Sequence, residues 1–167
     1  MAKTATKAKP KPTSKDADDR ELIVTRIIDA APEAVFRAWT EPKLLKQWFA
    51  PRPWTTPRVA MDVRAGGSSL VVMRSPEGKE EPRPGVFLEV IPNEKIVFTD
   101  AYTSAWMPSG KPFMTGIVTF ENVRGKTRYT ARVRHWSAAD RETHEKMGFH
   151  EGWGICTDQL AEVASKL

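Results

Sequence analysis

The stretch that decides the fold is FHEGWGICTDQLAEVASKL, residues 149–167. Its large apolar residues are spaced four, three, four, three and four positions apart, which is the spacing of one face of an α-helix. These residues are Phe149, Trp153, Cys156, Leu160, Val163 and Leu167, and the polar residues off this stripe are Asp158, Gln159, Glu162 and Lys166. The spacing predicts a long C-terminal helix whose apolar face must be buried against another part of the protein.

Upstream of this helix the sequence favours strands. Residues 22–28 are apolar and rich in β-branched side chains, which predicts a first strand. Pro32 and Pro42 suit the first turns of two short helices that follow it. Short turns then separate six further predicted strands, at residues 58–64, 68–74, 85–91, 95–101, 113–121 and 127–135.

This order of elements predicts an α+β fold. Six successive strands with short connections favour an antiparallel meander, which the first strand extends to seven. Residues 75–84 are predicted to form a polar turn, and residues 138–147 a short helix before the long one. A curved sheet packed against one long helix leaves space between them, so we expect an internal ligand cavity there.

The positive charge of the chain is confined to its beginning. The chain has 167 residues, with 26 Lys and Arg against 21 Asp and Glu. Five of the positive residues precede the first acid: Lys3, Lys7, Lys9, Lys11 and Lys15. We therefore expect residues 1–19, which lack Val, Ile, Leu and aromatic side chains, to form a disordered Lys-rich tail. Residues 20–167 then form a single neutral domain, for which no specific nucleic-acid partner is expected.

The remaining composition indicates a protein of a reducing compartment. Cys156 is the single cysteine, so an internal disulfide is excluded. No run of 18 apolar residues suggests a membrane span, and the basic N-terminus lacks the apolar segment of a secretory signal. We expect a cytoplasmic protein, either a monomer or a homodimer.

Four ordered segments resemble a known superfamily. They are residues 31–36 (APEAVF) with Trp39, Leu45 and Trp48, residues 89–99 (EVIPNEKIVFT), residues 125–130 (GKTRYT), and residues 150–154 (HEGWG) with 158–160. Together they resemble the START-like (SRPBCC, Bet v 1-like) superfamily. More narrowly, they are similar to its branch of proteins like the activator of 90-kDa heat-shock-protein ATPase homologue.

The resemblance implies the helix-grip fold, a seven-stranded antiparallel sheet around the C-terminal helix with a cavity between them. Residues 20–167 then correspond to one START-like domain. The fold hosts lipid carriers, hormone receptors, polyketide cyclases and aromatases, and co-chaperones, so it implies little about activity. The eukaryotic co-chaperone has an additional N-terminal domain that supplies much of its chaperone contact, whereas only the Lys-rich tail precedes this fold here.

Catalytic and metal-binding motifs are not found in the sequence. There is no GxSxG, P-loop or GxGxxG segment. His144-Glu145 and His150-Glu151 resemble half of a zinc-protease motif, but the second histidine is replaced by Gly148 and Gly154. Asp140 and His144 have the spacing of a metal pair or of an ordinary solvated helix pair. We therefore predict no catalytic residues, no metal and no cofactor.

Aromatic, methionine and histidine side chains near strand ends and loops form the candidate ligand-binding set. Its members are Trp54, Tyr102, Trp106, Met114, His135, Met147 and Trp153. Aromatic and Met side chains suit an apolar or planar ligand. If the strand alternates regularly, His135 faces the helix together with Tyr129, where it is either a polar contact for a ligand, a general base, or a structural histidine.

The sequence also supports expectations for Cys156 and Arg26. Cys156 on the helix stripe is expected to be an inert buried thiol. Arg26, inside an apolar strand, is expected to pair with Glu89 or to extend to the sheet edge.

Three functions remain open on this sequence. The first is binding or carriage of a hydrophobic or aromatic small molecule in the cavity, without catalysis. The second is a cyclase or aromatase that uses His135 or Tyr102 as an acid or base. The third is a chaperone-interaction module that stimulates ATPase activity.

Overall fold

The structure, a computed structural model, describes residues 19–167. The predicted Lys-rich tail therefore lies, apart from Asp19, outside the described residues. In chain order the elements are β1 (Glu21–Ile28), α1 (Pro32–Thr40), α2 (Pro42–Leu45), β2 (Thr55–Met61), β3 (Ser68–Arg74), β4 (Glu80–Ile91), β5 (Lys95–Thr99), β6 (Tyr102–Thr103), β7 (Met107–Pro108), β8 (Met114–Val123), β9 (Lys126–His135), α3 (Ala138–Lys146) and α4 (Phe149–Ala164). Among these residues, no helix has the length and apolar content that crossing a membrane requires.

Seven of the strands form one antiparallel sheet. Its order is β1-β9-β8-β5-β4-β3-β2, so β1 and β2 are the two edges. β6 and β7 form a separate two-stranded ribbon between β5 and β8. The predicted α+β architecture is confirmed, with a long C-terminal helix and two short helices after the first strand.

The side chains of strand β9 alternate between the two faces of the sheet. Tyr129, Ala131, Val133 and His135 are buried on the concave face, which carries the helices. Arg128, Arg132 and Arg134 alternate with them and are exposed on the convex face. The predicted alternation is therefore confirmed, because successive side chains of a strand point to opposite sides.

Strand β4 begins earlier than predicted, at Glu80 instead of residue 85. Pro82 and Pro84 favoured a turn, because proline cannot donate a backbone hydrogen bond within a sheet. In the structure this part of β4 pairs only with β3, since β5 joins β4 at Val86. The first half of β4 thus has a free edge, where the missing N–H groups of the two prolines cost nothing.

Helix α4 ends at Ala164, so Leu167 lies beyond it and is 45% exposed. Gln159, which the spacing places off the apolar stripe, is instead buried. Its Nε2 donates to the carbonyl oxygens of Trp48 (2.9 Å) and Ala50 (2.8 Å). Its Oε1 accepts from the backbone N–H of Arg52 at 3.0 Å. Gln159 therefore fixes the loop after α2 to the long helix.

Of the two alternatives for Arg26, pairing with Glu89 is wrong, and the side chain is instead exposed at the sheet edge. Arg26 lies 3.9 Å from Asp158 of α4, and Glu89 pairs with Lys95 at 3.1 Å. Arg26 is on edge strand β1, and Glu89 is on β4, four strands away in the sheet. Because both observed ion pairs are exposed, they add little to stability.

Candidate functional site

Trp153 and Cys156 are among the apolar side chains of α4 that stay partly exposed, together with Ile155, Ala161 and Val163. The helix packs against α1 and the edge strand β1, and there it buries small or polar residues such as Gly154 and Thr157. Trp153 and Cys156 nevertheless pack against the main core. They therefore border the part of the concave face that α4 does not cover.

A second set of partly buried apolar side chains comes from edge strand β2 and the central strand β5. Val59 and Met61 of β2 and Phe98 of β5 are partly buried and pack against the same core as Trp153 and Cys156. We call the space bordered by these five residues the groove. All five are partly exposed, so together they form a candidate contact surface for an apolar ligand.

Buried polar groups lie near the groove. The indole Nε1 of Trp39, whose ring centroid is 5.7 Å from that of Phe98, is buried and has no hydrogen-bond partner among the described residues. Burial raises the pKa of the nearby Tyr129 hydroxyl, so this group stays protonated. Burial also raises the pKa of Cys156 to about 12, and its Sγ donates to the Phe49 carbonyl oxygen at 3.2 Å. Its thiol is therefore unreactive at neutral pH, as the sequence predicts.

At the C-terminal end of β9, two histidines form a hydrogen-bonded pair. Nε2 of His135 lies 2.9 Å from Nδ1 of His144 on α3, and Nδ1 of His135 lies 2.9 Å from the carbonyl oxygen of Arg20. The ring of Phe113 is 5.0 Å from His144, and the ring of Phe149 is also 5.0 Å from it. The imidazole pair is therefore enclosed by aromatic side chains.

The contact with the Arg20 carbonyl oxygen determines which ring nitrogens of the two histidines carry protons. A carbonyl oxygen only accepts hydrogen bonds, so Nδ1 of His135 carries the proton and its Nε2 is the acceptor. His144 then donates from Nδ1, which leaves a free lone pair on its Nε2. Burial, together with the charges of His135 and Arg83, lowers the pKa of His144 to about 4. His144 is thus a neutral acceptor at physiological pH.

Two surface depressions occur away from the groove. One, of about 490 Å³, is lined by Arg20, Glu21, Thr115, Arg134, His135 and Trp136. The other, of about 620 Å³, lies between the start of α1, the β4–β5 turn and the end of β8. Neither is lined by a residue of α4, so neither is the cavity between helix and sheet that the sequence predicts.

Three of the seven predicted ligand-binding residues lie close together in the structure, and the other four do not. Met114, His135 and Trp153 lie together on the concave side, where Met114 pairs with His135 across β8 and β9, and both Met114 and Trp153 pack against the buried Phe149 cluster.

The other four lie elsewhere. Tyr102 and Trp106 contact each other in the ribbon, with ring centroids 5.7 Å apart. Trp54 is half-buried in the loop before β2, and Met147 is 68% exposed after α3.

Sequence reasoning missed two residues of this region. The sequence associates His144 with Asp140 and Glu145 of its own helix, whereas its partner is His135, nine positions away across a turn. Arg83 was placed in a turn, whereas it lies on β4 opposite Val71, a concave-face residue. No local sequence signal marks either contact, since both depend on how strands and helices pack. Within residues 19–167, no group of three or more His, Cys, Asp or Glu side chains is arranged to hold a metal ion.

The seven-stranded antiparallel sheet and the long C-terminal helix together define an α+β helix-grip protein. The family model described as activator of Hsp90 ATPase homolog 1-like protein matches residues 29–165. The chain therefore belongs to that family, and the resemblance stated from its motifs is confirmed.

Solved structures agree with this assignment. A protein from Nitrosomonas europaea is 37% identical, with a TM-score of 0.86, and the match covers 89% of this chain and 96% of that one. A protein from Staphylococcus epidermidis is 25% identical (TM-score 0.74, 89% and 92% covered). A protein from Rhodobacter sphaeroides, 20% identical with a TM-score of 0.78 over 90% and 95%, is similar in fold alone. No curated protein matches the chain.

Proposed function

We propose that this protein binds an apolar or aromatic small molecule in the groove, without catalysing a reaction on it. The observation that supports this most strongly is the exposure pattern of α4. Trp153 and Cys156 remain partly exposed although they are apolar, while Thr157 and Gln159 of the same helix are buried. A ligand placed against Trp153 and Cys156 would remove their exposed surface from water, at about 25 cal/mol per Å² of apolar area.

The buried polar groups supply an orienting contact. Nε1 of Trp39 is a buried donor close to the Tyr129 hydroxyl, but it makes no hydrogen bond of normal geometry among the described residues, and such groups are rare in folded proteins. A ligand oxygen that reached it would satisfy this donor. An apolar site with a few convergent polar groups is the usual composition of a small-molecule pocket.

The experiment uses 2-methoxynaphthalene as an apolar aromatic probe and measures its affinity by equilibrium dialysis. Val59→Asp places a charge on the groove wall, and Ala60→Asp places the same charge on the convex face of the same strand. The two residues are adjacent on one strand and point to opposite faces. Comparing them therefore separates an effect on the concave face from a general effect of a charge on this strand. We expect saturable binding that Val59→Asp weakens at least tenfold and Ala60→Asp leaves unchanged.

The melting temperature of each variant is measured alongside, so that loss of folding is not taken for loss of binding. Absence of saturable binding to the wild-type protein contradicts the proposal. Equal weakening by the two substitutions also contradicts it, because binding would then not involve the concave face.

A further inference from the structure

The imidazole pair has a free hydrogen-bond acceptor, which the binding of an apolar molecule does not require. Each hydrogen bond of the pair has a fixed direction, from His135 to the Arg20 carbonyl and from His144 to His135. Nε2 of His144 is left as a lone pair without a hydrogen bond from any described residue. An enclosed aromatic setting with one exposed acceptor selects ligands that carry a donor.

A positive charge lies close to this acceptor. The Arg83 guanidinium is near enough to His144 to disfavour its protonated form. Arg83 has one ion pair, to Glu81 at 2.9 Å, and 59% of its side chain is exposed. A guanidinium has five N–H donors, so this ion pair leaves donors free for a second negative group.

Arg83 lies on the same face of the sheet as part of the groove. Arg83 is opposite Val71, which is opposite Val59 of the groove wall. Phe149 is 5.0 Å from the ring of His144 and 5.3 Å from the ring of Trp153, so aromatic contacts connect the imidazole pair to the groove. A planar ligand lying against Trp153 can therefore extend its edge toward His144.

We propose that the ligand carries an acidic hydroxyl group, a phenol or an enol, which donates a hydrogen bond to Nε2 of His144. Arg83 stabilises the partial negative charge that this bond places on the ligand oxygen. His144 accepts such a bond only when it is neutral, and its burial keeps it neutral at physiological pH. This inference rests on the proposed function and specifies the ligand class for the same groove.

The test compares 2-naphthol with 2-methoxynaphthalene, which has the same ring system but no donor. The wild-type protein is expected to bind 2-naphthol about tenfold more tightly, the ratio that one additional hydrogen bond provides. His144→Phe is expected to bring this ratio to about one, and His150→Phe, which replaces an exposed histidine of α4, to leave it at the wild-type value.

A spectroscopic readout separates a direct contact from a change of shape. The ionised form of 2-naphthol has its own absorbance band, so its pKa can be followed in the bound state. We expect the wild-type protein to lower the pKa of bound 2-naphthol relative to Arg83→Met. Arg83→Met keeps both histidines, so it also serves if His144→Phe fails to fold.

Each result decides between the proposals. Equal affinity of the wild-type protein for the two probes overturns this inference and leaves the groove as a ligand site. A tenfold ratio that persists in His144→Phe, or a bound pKa that Arg83→Met does not change, also overturns it. Failure of both probes to bind overturns the proposed function itself and this inference with it.

Discussion

The phenyl ring of Phe98 lies directly over Gly116, its partner on the neighbouring strand β8. A β-carbon on residue 116 would lie 2.4 Å from Cζ of Phe98, much closer than atoms in contact allow. Gly116 therefore permits Phe98 to lie flat on the sheet, where its ring forms part of the groove wall. The position of one wall of the groove thus depends on the absence of a side chain.

Gly116→Ala is expected to displace Phe98 and to lower the free energy of unfolding by about 1–3 kcal/mol, the usual cost of overpacking a core. The measurement is denaturant unfolding of a double-mutant cycle with Phe98→Ala. The cost of Gly116→Ala should largely disappear in the Phe98→Ala background, because the ring that it strikes is gone. Additive costs would show that the two residues do not interact in this way.

Gln159→Ala is expected to lower the free energy of unfolding by about 3 kcal/mol, since three buried hydrogen bonds lose a partner. The control is Gln47→Ala, an exposed residue with a single long hydrogen bond to the Lys43 carbonyl oxygen. Chemical denaturation of both variants gives the comparison. Similar losses in the two would mean that Gln159 does not hold the loop to α4.

The lowered pKa of His144 should make the free energy of unfolding depend on pH. Its folded pKa is about 4, below its ordinary value of 6.5, so between these values the unfolded chain binds a proton that the folded chain does not. Stability should therefore fall as the pH is lowered from about 6.5 to about 4. We expect His144→Phe to reduce this fall, and His150→Phe to retain it, in unfolding measured across that range. An unchanged fall in His144→Phe would contradict the assigned environment of this histidine.

The sequence carries enough local information to predict the architecture. The helical spacing of Phe149 and Leu160 and the alternation around Tyr129 each depend on neighbouring residues, and both predictions are confirmed. Gln159 was predicted to be exposed because a polar residue usually is. Its burial depends on three backbone groups more than a hundred residues away, which no local pattern reveals.

The site was harder to predict for the same physical reason. Arg83 was assigned to a turn because Pro82 and Pro84 flank it, and only the free edge of β4 makes a strand with those prolines possible. The contact between His135 and His144 requires α3 to fold back over the end of β9. Aromatic and Met residues indicated a ligand site, but composition could not separate the groove residue Trp153 from the exposed Met147.

The central claim is that an apolar ligand occupies the groove beside α4, and the single cysteine of the chain tests it most directly. Cys156 borders the groove, and because its pKa of about 12 leaves almost no thiolate at neutral pH, its alkylation by iodoacetamide is followed at about pH 9.5, where the rate reports whether that space is filled. The rate is measured with and without saturating 2-methoxynaphthalene. The account predicts that the bound probe slows alkylation at least tenfold. Saturable binding of the probe with no change in this rate would contradict it.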